Sequence, residues 1–283
     1  MQIDSLESWL SQHTKSGALN SKDSILLDVG AYHGDFSKQM FLENNIQKAI
    51  LFEPNKDNYN ILQSNFADNT QVELIHSAVG DQNGDMPFYC DSDRATGSVL
   101  AYHYSPEDIH KIKSQQVNLI TLDHFVKQKA LSDRISMIKI DTQGYDLNVL
   151  KGAKQTIKEH RPWIVAELIY VSLYENQSDP HEIALWLTAQ DYALAGMFNM
   201  HYTADGWLAF ADGVFVSKDK IQTIISPFYM NKSNAQLAAE NTMLQHACAE
   251  RLELIIRLDK EIKHLQSGSK KYASTLKKLI KWR

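Results

Sequence analysis

The chain has 283 residues, of which 43% are hydrophobic and 22% are charged, a composition typical of a globular protein with one sizeable core and an appendage. A formal net charge of −5 argues against nucleic acid as the main partner, and the six cations of residues 270–283 leave −11 on residues 1–269. The acidic N-terminus and the lack of any run of 18 apolar residues predict neither signal peptide nor membrane span, so a cytoplasmic location is expected. Cys90 and Cys248 lie far apart without metal-ligand spacing, which argues against a disulfide framework or a structural zinc site.

A strand, a tight loop and a helix are predicted at residues 25–37, after a short helix at residues 4–14. The spacing Asp28-x-Gly30-x-x-x-Gly34 departs from the Gly-x-Gly-x-x-Gly of dinucleotide sites. An acid before this wider spacing fits a cofactor with no phosphate and a cationic amino-acid end, namely S-adenosylmethionine. The predicted cofactor contacts from this unit are Asp28, Gly30, Ala31, Tyr32, Gly34, Phe36 and Ser37.

The next parallel strand is predicted at residues 50–53, and it ends in Glu53, a carboxylate placed to accept both ribose hydroxyls. A helix over residues 55–66 and a third strand over residues 72–81 follow. An insertion with strands at 85–91 and 117–122 and a polar loop at 94–98 comes next. Further predicted cofactor contacts are Pro54, Asn55, Ser77, Ala78 and Ser98, with Ser77 and Ala78 beside the adenine.

Two acids are predicted at the ligand end of the next core strands, Asp141 after the strand at 135–141 and Glu167 in the strand at 162–168. Adjacent parallel strands lie ~4.8 Å apart, so the two carboxylates are expected together. They are candidates to take a proton from a hydroxyl or to bind Mg²⁺. Asp141 is alternatively a cofactor contact or a helix cap.

His201 is an alternative base, predicted in a loop near the last strands. A helix at 181–189 and strands at 192–196 and 208–217 complete a mostly parallel, doubly wound α/β sheet with an antiparallel last strand. This Rossmann-like architecture leaves the carboxyl ends of the strands as the ligand-binding edge.

Residues 139–153 carry a long motif, Lys-Ile-Asp-Thr-Gln-Gly-Tyr-Asp-Leu-Asn-Val-Leu-Lys-Gly-Ala, followed by Arg161-Pro162 and Glu167. This motif resembles the FkbM family of S-adenosylmethionine-dependent methyltransferases, and the similarity extends over about residues 24–218. The resemblance implies a class I methyltransferase fold and O-methylation of sugars, polyketides or other glycan-like hydroxyls. The chain departs from the family at Gln143, where the family usually has Glu.

The acceptor is expected to be a saccharide hydroxyl of a surface glycan precursor, and the rival acceptor is a polyketide or other natural product. Tyr102, His103 and Tyr104 are candidate substrate contacts because this segment suits a sugar-stacking lid, although it equally suits packing against the insertion. Tyr170, just after the fifth core strand, is a further candidate. An alternative of another class is an inactive methyltransferase fold that serves as an interaction protein.

The C-terminal part of the chain has a different pattern. Residues 228–267 show about four heptads, which predicts either a coiled coil that joins subunits of a homo-oligomer or an amphipathic helix folded back on the domain. Residues 268–283 form a basic amphipathic end, suited to an anionic membrane surface or to simple solvation. Residues 1–227 are then the methyltransferase domain.

Overall fold

The computed structural model describes residues 5–15, 24–42, 46–91, 97–102, 112–131 and 134–221, together with Arg257. Those up to residue 221 lie in one compact unit, Met1–Ile224. The coiled coil predicted at 228–267, apart from Arg257, and the basic end at 268–283 lie outside the described residues and stay predictions.

The described part of the chain alternates strands and helices, as predicted for an α/β fold. The strands are β1 (Ser24–Val29), β2 (Lys48–Phe52), β3 (Val72–Ile75), β4 (Ala78–Val79), β5 (Gly84–Asp91), β6 (Gly97–Ser98), β7 (Ile112–Ile120), β8 (Arg134–Ile140), β9 (Trp163–Ile169), β10 (Tyr192–Tyr202) and β11 (Leu208–Ser217). The helices are α1 (Leu6–Lys15), α2 (Asp35–Leu42), α3 (Lys56–Asn65), α4 (Leu122–Gln128), α5 (Asp146–Gly152), α6 (Lys154–His160) and α7 (Pro180–Ala189). None of the described helices is long and apolar enough to cross a membrane.

Seven strands form the main sheet, in the spatial order β3, β2, β1, β8, β9, β11, β10. The first five run parallel, and β11 runs antiparallel to both β9 and β10. The prediction of a mostly parallel sheet with an antiparallel last strand is confirmed. Since parallel strands end at a common edge, the ends of β1, β2, β8 and β9 bring their loops together.

Hydrophobic clusters cover both faces of this sheet, which explains why its central strands are almost continuously apolar. Every residue of β1 is buried. Leu27 and Ile138 belong to the cluster that α4 to α7 cover, whereas Leu26 and Met137 belong to the cluster with Trp9 of α1. Successive side chains of β1 and β8 point to opposite faces of the sheet, and this alternation decides which polar residues at the strand ends face α1 and α2.

The third strand predicted at 72–81 is confirmed only over Val72–Ile75, because the chain changes sheets at Ser77. Only β3 belongs to the main sheet, and β4 pairs with β7 in a second sheet of order β4, β7, β5, β6. The Ser77 hydroxyl lies within hydrogen-bond distance of the carbonyl oxygens of Ala78, at 2.9 Å, and Asn118, at 2.8 Å, and its one hydrogen bond to them fixes the bend.

Two shorter predictions in the insertion are also corrected. Leu122 begins α4 instead of ending a strand, because the Thr121 hydroxyl caps this helix by accepting the His124 N–H at 3.1 Å. Part of the predicted polar loop at 94–98 is β6, which pairs with β5.

Candidate active site

The loop after β1 lies against the end of β8 and needs a glycine there. Gly30 has φ +76°, and a Cβ on it would lie 1.9 Å from the Asp141 carbonyl oxygen. The N–H groups of Gly30 and Ala31 both donate to the Phe52 carbonyl oxygen at 3.0 Å, which ties the loop to the end of β2. Tyr32, at φ +51°, is also in the left-handed region, and such strain in non-glycine residues clusters at functional sites.

Asp28 holds the start of α2 and is not among the residues that line the cavity described below. Its carboxylate is fully buried, accepts a 2.6 Å hydrogen bond from the Ser37 hydroxyl, and lies 4.0 Å from Lys139 Nζ. Burial raises the pKa of Asp28, although Lys139 and Ser37 act in the opposite direction. Asp28, which was predicted to contact the cofactor directly, therefore connects β1 to α2 through Ser37 and to β8 through Lys139.

Glu53 follows β2 and is 4% exposed. Its two carboxylate oxygens accept the N–H groups of Tyr32 at 2.9 Å and Asn55 at 2.8 Å, and the Asn58 side chain also hydrogen bonds it. A carboxylate has roughly four acceptor positions, so capacity remains for a hydroxyl of a ligand. Burial raises the pKa of Glu53 to about 7 against the lowering effect of these donors.

A cavity of about 270 Å³ opens between the Gly30 loop, the end of β2 and the second sheet. Half of the predicted cofactor contacts line it, namely Gly30, Tyr32, Glu53, Pro54, Ser77, Ala78 and Asp141. Phe88, Val99 and Tyr145 also line this wall, although the sequence analysis did not predict them as contacts. Phe88 and Val99 come from the second sheet and its edge, whose position over the main sheet is a tertiary feature.

The other predicted cofactor contacts support the cavity from outside or lie elsewhere, and these are Asp28, Ala31, Gly34, Phe36, Ser37, Asn55 and Ser98. Asn55 caps α3 with its side chain. Ser98 donates its hydroxyl to the Gln143 carbonyl oxygen at 2.8 Å. Gly34, at φ +82°, gives α2 room to pack, since a Cβ there would lie 2.3 Å from the Phe66 ring.

The structure brings Asp141 and Glu167 together through Gln143. Gln143 Nε2 donates to Asp141 Oδ1 at 3.0 Å and to Glu167 Oε2 at 2.9 Å. Its Oε1 accepts the Tyr174 hydroxyl at 2.7 Å. Gln143 also has φ +53°, so its backbone is held in an uncommon conformation at the cavity wall. The residue that departs from the family pattern is therefore the centre of the carboxylate pair.

The two carboxyl groups have opposite protonation tendencies. Burial alone would raise the pKa of Asp141, but Lys139 Nζ at 3.1 Å and the Gln143 amide hold it below its usual value. Burial and the charges of Asp141 and Asp146 raise the pKa of Glu167 well above its usual value. Asp141 and Asp28 in turn raise the pKa of Lys139 despite its burial. The arrangement favours ionised Asp141 beside protonated Glu167.

The alternative base is placed differently from the prediction. His201 lies in strand β10, not in a loop, because β10 continues to Tyr202 beyond the predicted end at residue 196. Its exposed ring stacks on Phe210 at 4.4 Å, and His201 is not among the residues that line this cavity. The structure therefore does not bring His201 into the cavity that Asp141 lines.

The predicted substrate contacts are not gathered in the cavity. The Tyr102 ring packs against Tyr174 at 4.9 Å, and Tyr170 is 39% exposed beside His181. His103 and Tyr104 lie outside the described residues. Among the residues that the structure describes, no three His, Cys, Asp or Glu side chains are grouped to hold a metal ion, so Mg²⁺ at Asp141 and Glu167 stays a prediction.

The buried carboxyls give an expected pH dependence of stability. Burial raises the pKa of both Glu53 and Asp146 to about 7. Because these groups have a pKa near 4 in the unfolded chain, the native state binds more protons between about pH 4.5 and 7, so stability falls as pH rises through this range. We expect the ligand-free protein to have a higher melting temperature at about pH 5.5 than at pH 8.

Melting curves of Glu53→Gln test this assignment. The variant should lose less stability than the wild type between these two pH values, since one of the two titrating groups is removed. Exposed Glu182 on α7 provides the control, and Glu182→Gln should keep the wild-type dependence. A Glu53→Gln curve that falls as steeply as the wild type would contradict the raised pKa.

One protein-family model and several solved structures match this chain. A methyltransferase FkbM domain matches residues 28–194. A methyltransferase FkbM from Methylobacillus flagellatus KT is similar in structure, with 20% identity, a TM-score of 0.46 and a match over 72% of this chain and 47% of that one. TrmK from M. capricolum, solved with S-adenosyl-homocysteine, is similar with 16% identity, a TM-score of 0.41 and a match over 77% of this chain and 70% of that one.

No curated protein matches the sequence. The chain spans about half the length of the Methylobacillus protein. The FkbM domain match begins near the end of β1, includes the Gly30 loop, Glu53 and the Asp141–Glu167 pair, and covers more than half of the sequence. The chain therefore belongs to the methyltransferase FkbM domain family.

Proposed function

We propose that the chain is an S-adenosylmethionine-dependent O-methyltransferase that methylates a saccharide hydroxyl in surface glycan biosynthesis. One observation carries the proposal: Glu53 and ionised Asp141 line the same cavity. The Glu53 carboxylate can still accept a further hydrogen bond beside those from Tyr32 and Asn55. Glu53 suits the ribose of a nucleoside and Asp141 suits a hydroxyl that must lose a proton.

The residues of the cavity fit this cofactor. The space that a Cβ on Gly30 would fill lets bare backbone approach a ligand, as in other nucleotide-binding loops. Phe88 and Val99 provide an apolar wall for a flat base. Glu53 would accept a hydrogen bond from a ribose hydroxyl. When bound, S-adenosylmethionine supplies an electrophilic methyl group.

The chain's own residues manage the proton and the alignment. Asp141 would accept the acceptor hydroxyl's proton on its carboxylate, and Lys139 keeps that carboxylate ionised beforehand. Glu167 holds its own proton, so the pair carries one negative charge instead of two. Gln143 fixes the distance between them, which positions the base for an in-line displacement.

Calorimetric titration with S-adenosyl-homocysteine tests the cofactor assignment. We expect Glu53→Ala to bind it about 30- to 100-fold more weakly, since one hydrogen bond to a charged group contributes about 1.5–3 kcal/mol. The circular dichroism spectrum should stay native, because Glu53 lies after β2 and not within it. Glu182→Ala, at an exposed position of α7, should bind like the wild type. Wild-type affinity in Glu53→Ala would remove the ribose assignment.

A further inference from the structure

A second cavity, of about 850 Å³, lies on the face of the main sheet that α1 and α2 cover. Its walls come from these two helices and from the polar positions of β8 and β11 that face them. Asp141 lines this cavity as well as the first one. A ligand in each would therefore meet at the carboxylate to which we assign the proton transfer.

The walls of the second cavity suit a sugar ring. Ser8 and Ser11 bring hydroxyl groups from α1, and Glu7 and Asp212 bring carboxyl oxygens. Hydroxyls both donate and accept hydrogen bonds and carboxylates accept them, so together they match the mixed needs of sugar hydroxyls. Phe36, at the start of α2, adds an aromatic surface for the C–H face of a ring.

The charges on these walls disfavour an anionic ligand. Four carboxyl groups line the cavity, from Glu7, Asp35, Asp141 and Asp212, and Lys139 is the only cation among the described lining residues. That ammonium is already engaged by Asp141 at 3.1 Å and by Asp28 at 4.0 Å. Among the described residues that line this cavity, a phosphate, sulfate or carboxylate on the ligand would therefore find no unengaged cation to compensate the repulsion.

We infer that this cavity is the acceptor site and that it admits a sugar ring without an anionic substituent. The inference rests on the proposed function and narrows it, because sugar phosphates and uronic acids are excluded as the methylated ring. It also gives α1 a role, because this helix supplies Glu7, Ser8 and Ser11 to the wall of the cavity that Asp141 lines.

Transfer of labelled methyl from S-adenosylmethionine tests the inference on the full chain. The probes are the methyl glycosides of glucose, mannose and rhamnose, with methyl glucuronoside and glucose 6-phosphate as anionic counterparts. We expect label in a neutral probe, at a rate at least about tenfold above its anionic counterpart, as for like charges brought together in a site. An anionic sugar labelled as fast as the matching neutral one would overturn the inference.

A blocking variant tests the location. Ser8 is exposed on α1, so Ser8→Trp fills the cavity without entering the core. We expect its transfer to fall about tenfold or more while affinity for S-adenosyl-homocysteine changes less than about twofold. Ser64→Trp on exposed α3, away from both cavities, should transfer like the wild type. Wild-type transfer in Ser8→Trp would overturn the location.

The two proposals fail in different ways. If the wild type does not bind S-adenosyl-homocysteine, the methyltransferase proposal itself is wrong. If it binds the cofactor product but labels no sugar, the saccharide acceptor and the acceptor site are both wrong. If it labels sugars without regard to charge or to Ser8→Trp, only the acceptor site is wrong.

Discussion

Asp141→Asn is expected to lower methyl transfer by about 10²- to 10⁴-fold, the usual contribution of a positioned general base. The amide keeps the shape of the carboxylate but cannot take a proton from a hydroxyl. Its NH₂ group would also face the donors of Lys139 or Gln143, each of which now donates to a carboxylate oxygen. Transfer from labelled S-adenosylmethionine to a saccharide measures the loss.

The cofactor affinity of the same variant distinguishes a base from a helix cap or a cofactor contact. The backbone bond from the Asp141 N–H to the Val29 carbonyl oxygen, 3.0 Å, does not involve the side chain, so the loop after β8 should stay in place. We expect S-adenosyl-homocysteine to bind within about threefold of the wild type. Asp68→Asn makes the same chemical change at an exposed position and should be neutral. Full transfer in Asp141→Asn would reduce Asp141 to a structural residue.

Gln143→Met is expected to destabilise the protein by about 2–4 kcal/mol and to lower transfer together with stability. The methionine side chain has a similar length but gives no amide, so Asp141, Glu167 and the Tyr174 hydroxyl each lose a hydrogen bond. Partly buried polar groups left without partners cost about 1–3 kcal/mol each. The expected loss is smaller than three full costs because water can reach the one-third of the Asp141 side chain that is exposed. Urea unfolding measures the change.

Gln143→Glu introduces the residue usual in the family. It distinguishes the effect of the Gln143 side chain's shape from the effect of adding a charge at this position. A protonated Glu can still accept from the Tyr174 hydroxyl and donate one bond, whereas an ionised one adds a charge beside Asp141 and Glu167. Burial and these neighbours should raise the pKa of the new group, so the variant's stability is retained at low pH and lost as pH rises. We expect the stability of Gln143→Glu to approach that of the wild type near pH 5 and to fall below it by pH 8.

A Gln143→Met variant with wild-type stability and wild-type methyl transfer would show that the hydrogen bonds from Gln143 to Asp141 and Glu167 have no role.

Several features of this protein follow from the sequence alone because local patterns decide them. The apolar run before Gly30 predicts a strand buried on both faces, and the acid and glycines after it predict a cofactor loop. Glu53 directly follows β2, and Asp141 directly follows β8, so simple strand boundaries place both at the ligand edge. The motif at residues 139–153 identified the family that the FkbM domain match then confirmed.

Tertiary structure decided the features that depend on residues far apart in the chain. Ser77 directs the chain into the second sheet at β4, because its hydroxyl contacts Asn118, 41 positions away. The alternation of residues along a strand cannot predict that contact. Gln143 bridges Asp141 to Glu167, and Lys139 pairs with Asp28 from a neighbouring strand. The alternation of residues along a strand specifies which face of the sheet a side chain lies on, but not which side chain of another strand it contacts. The sequence therefore determined which groups lie at the site, and only the fold decided which of them pair and which are ionised.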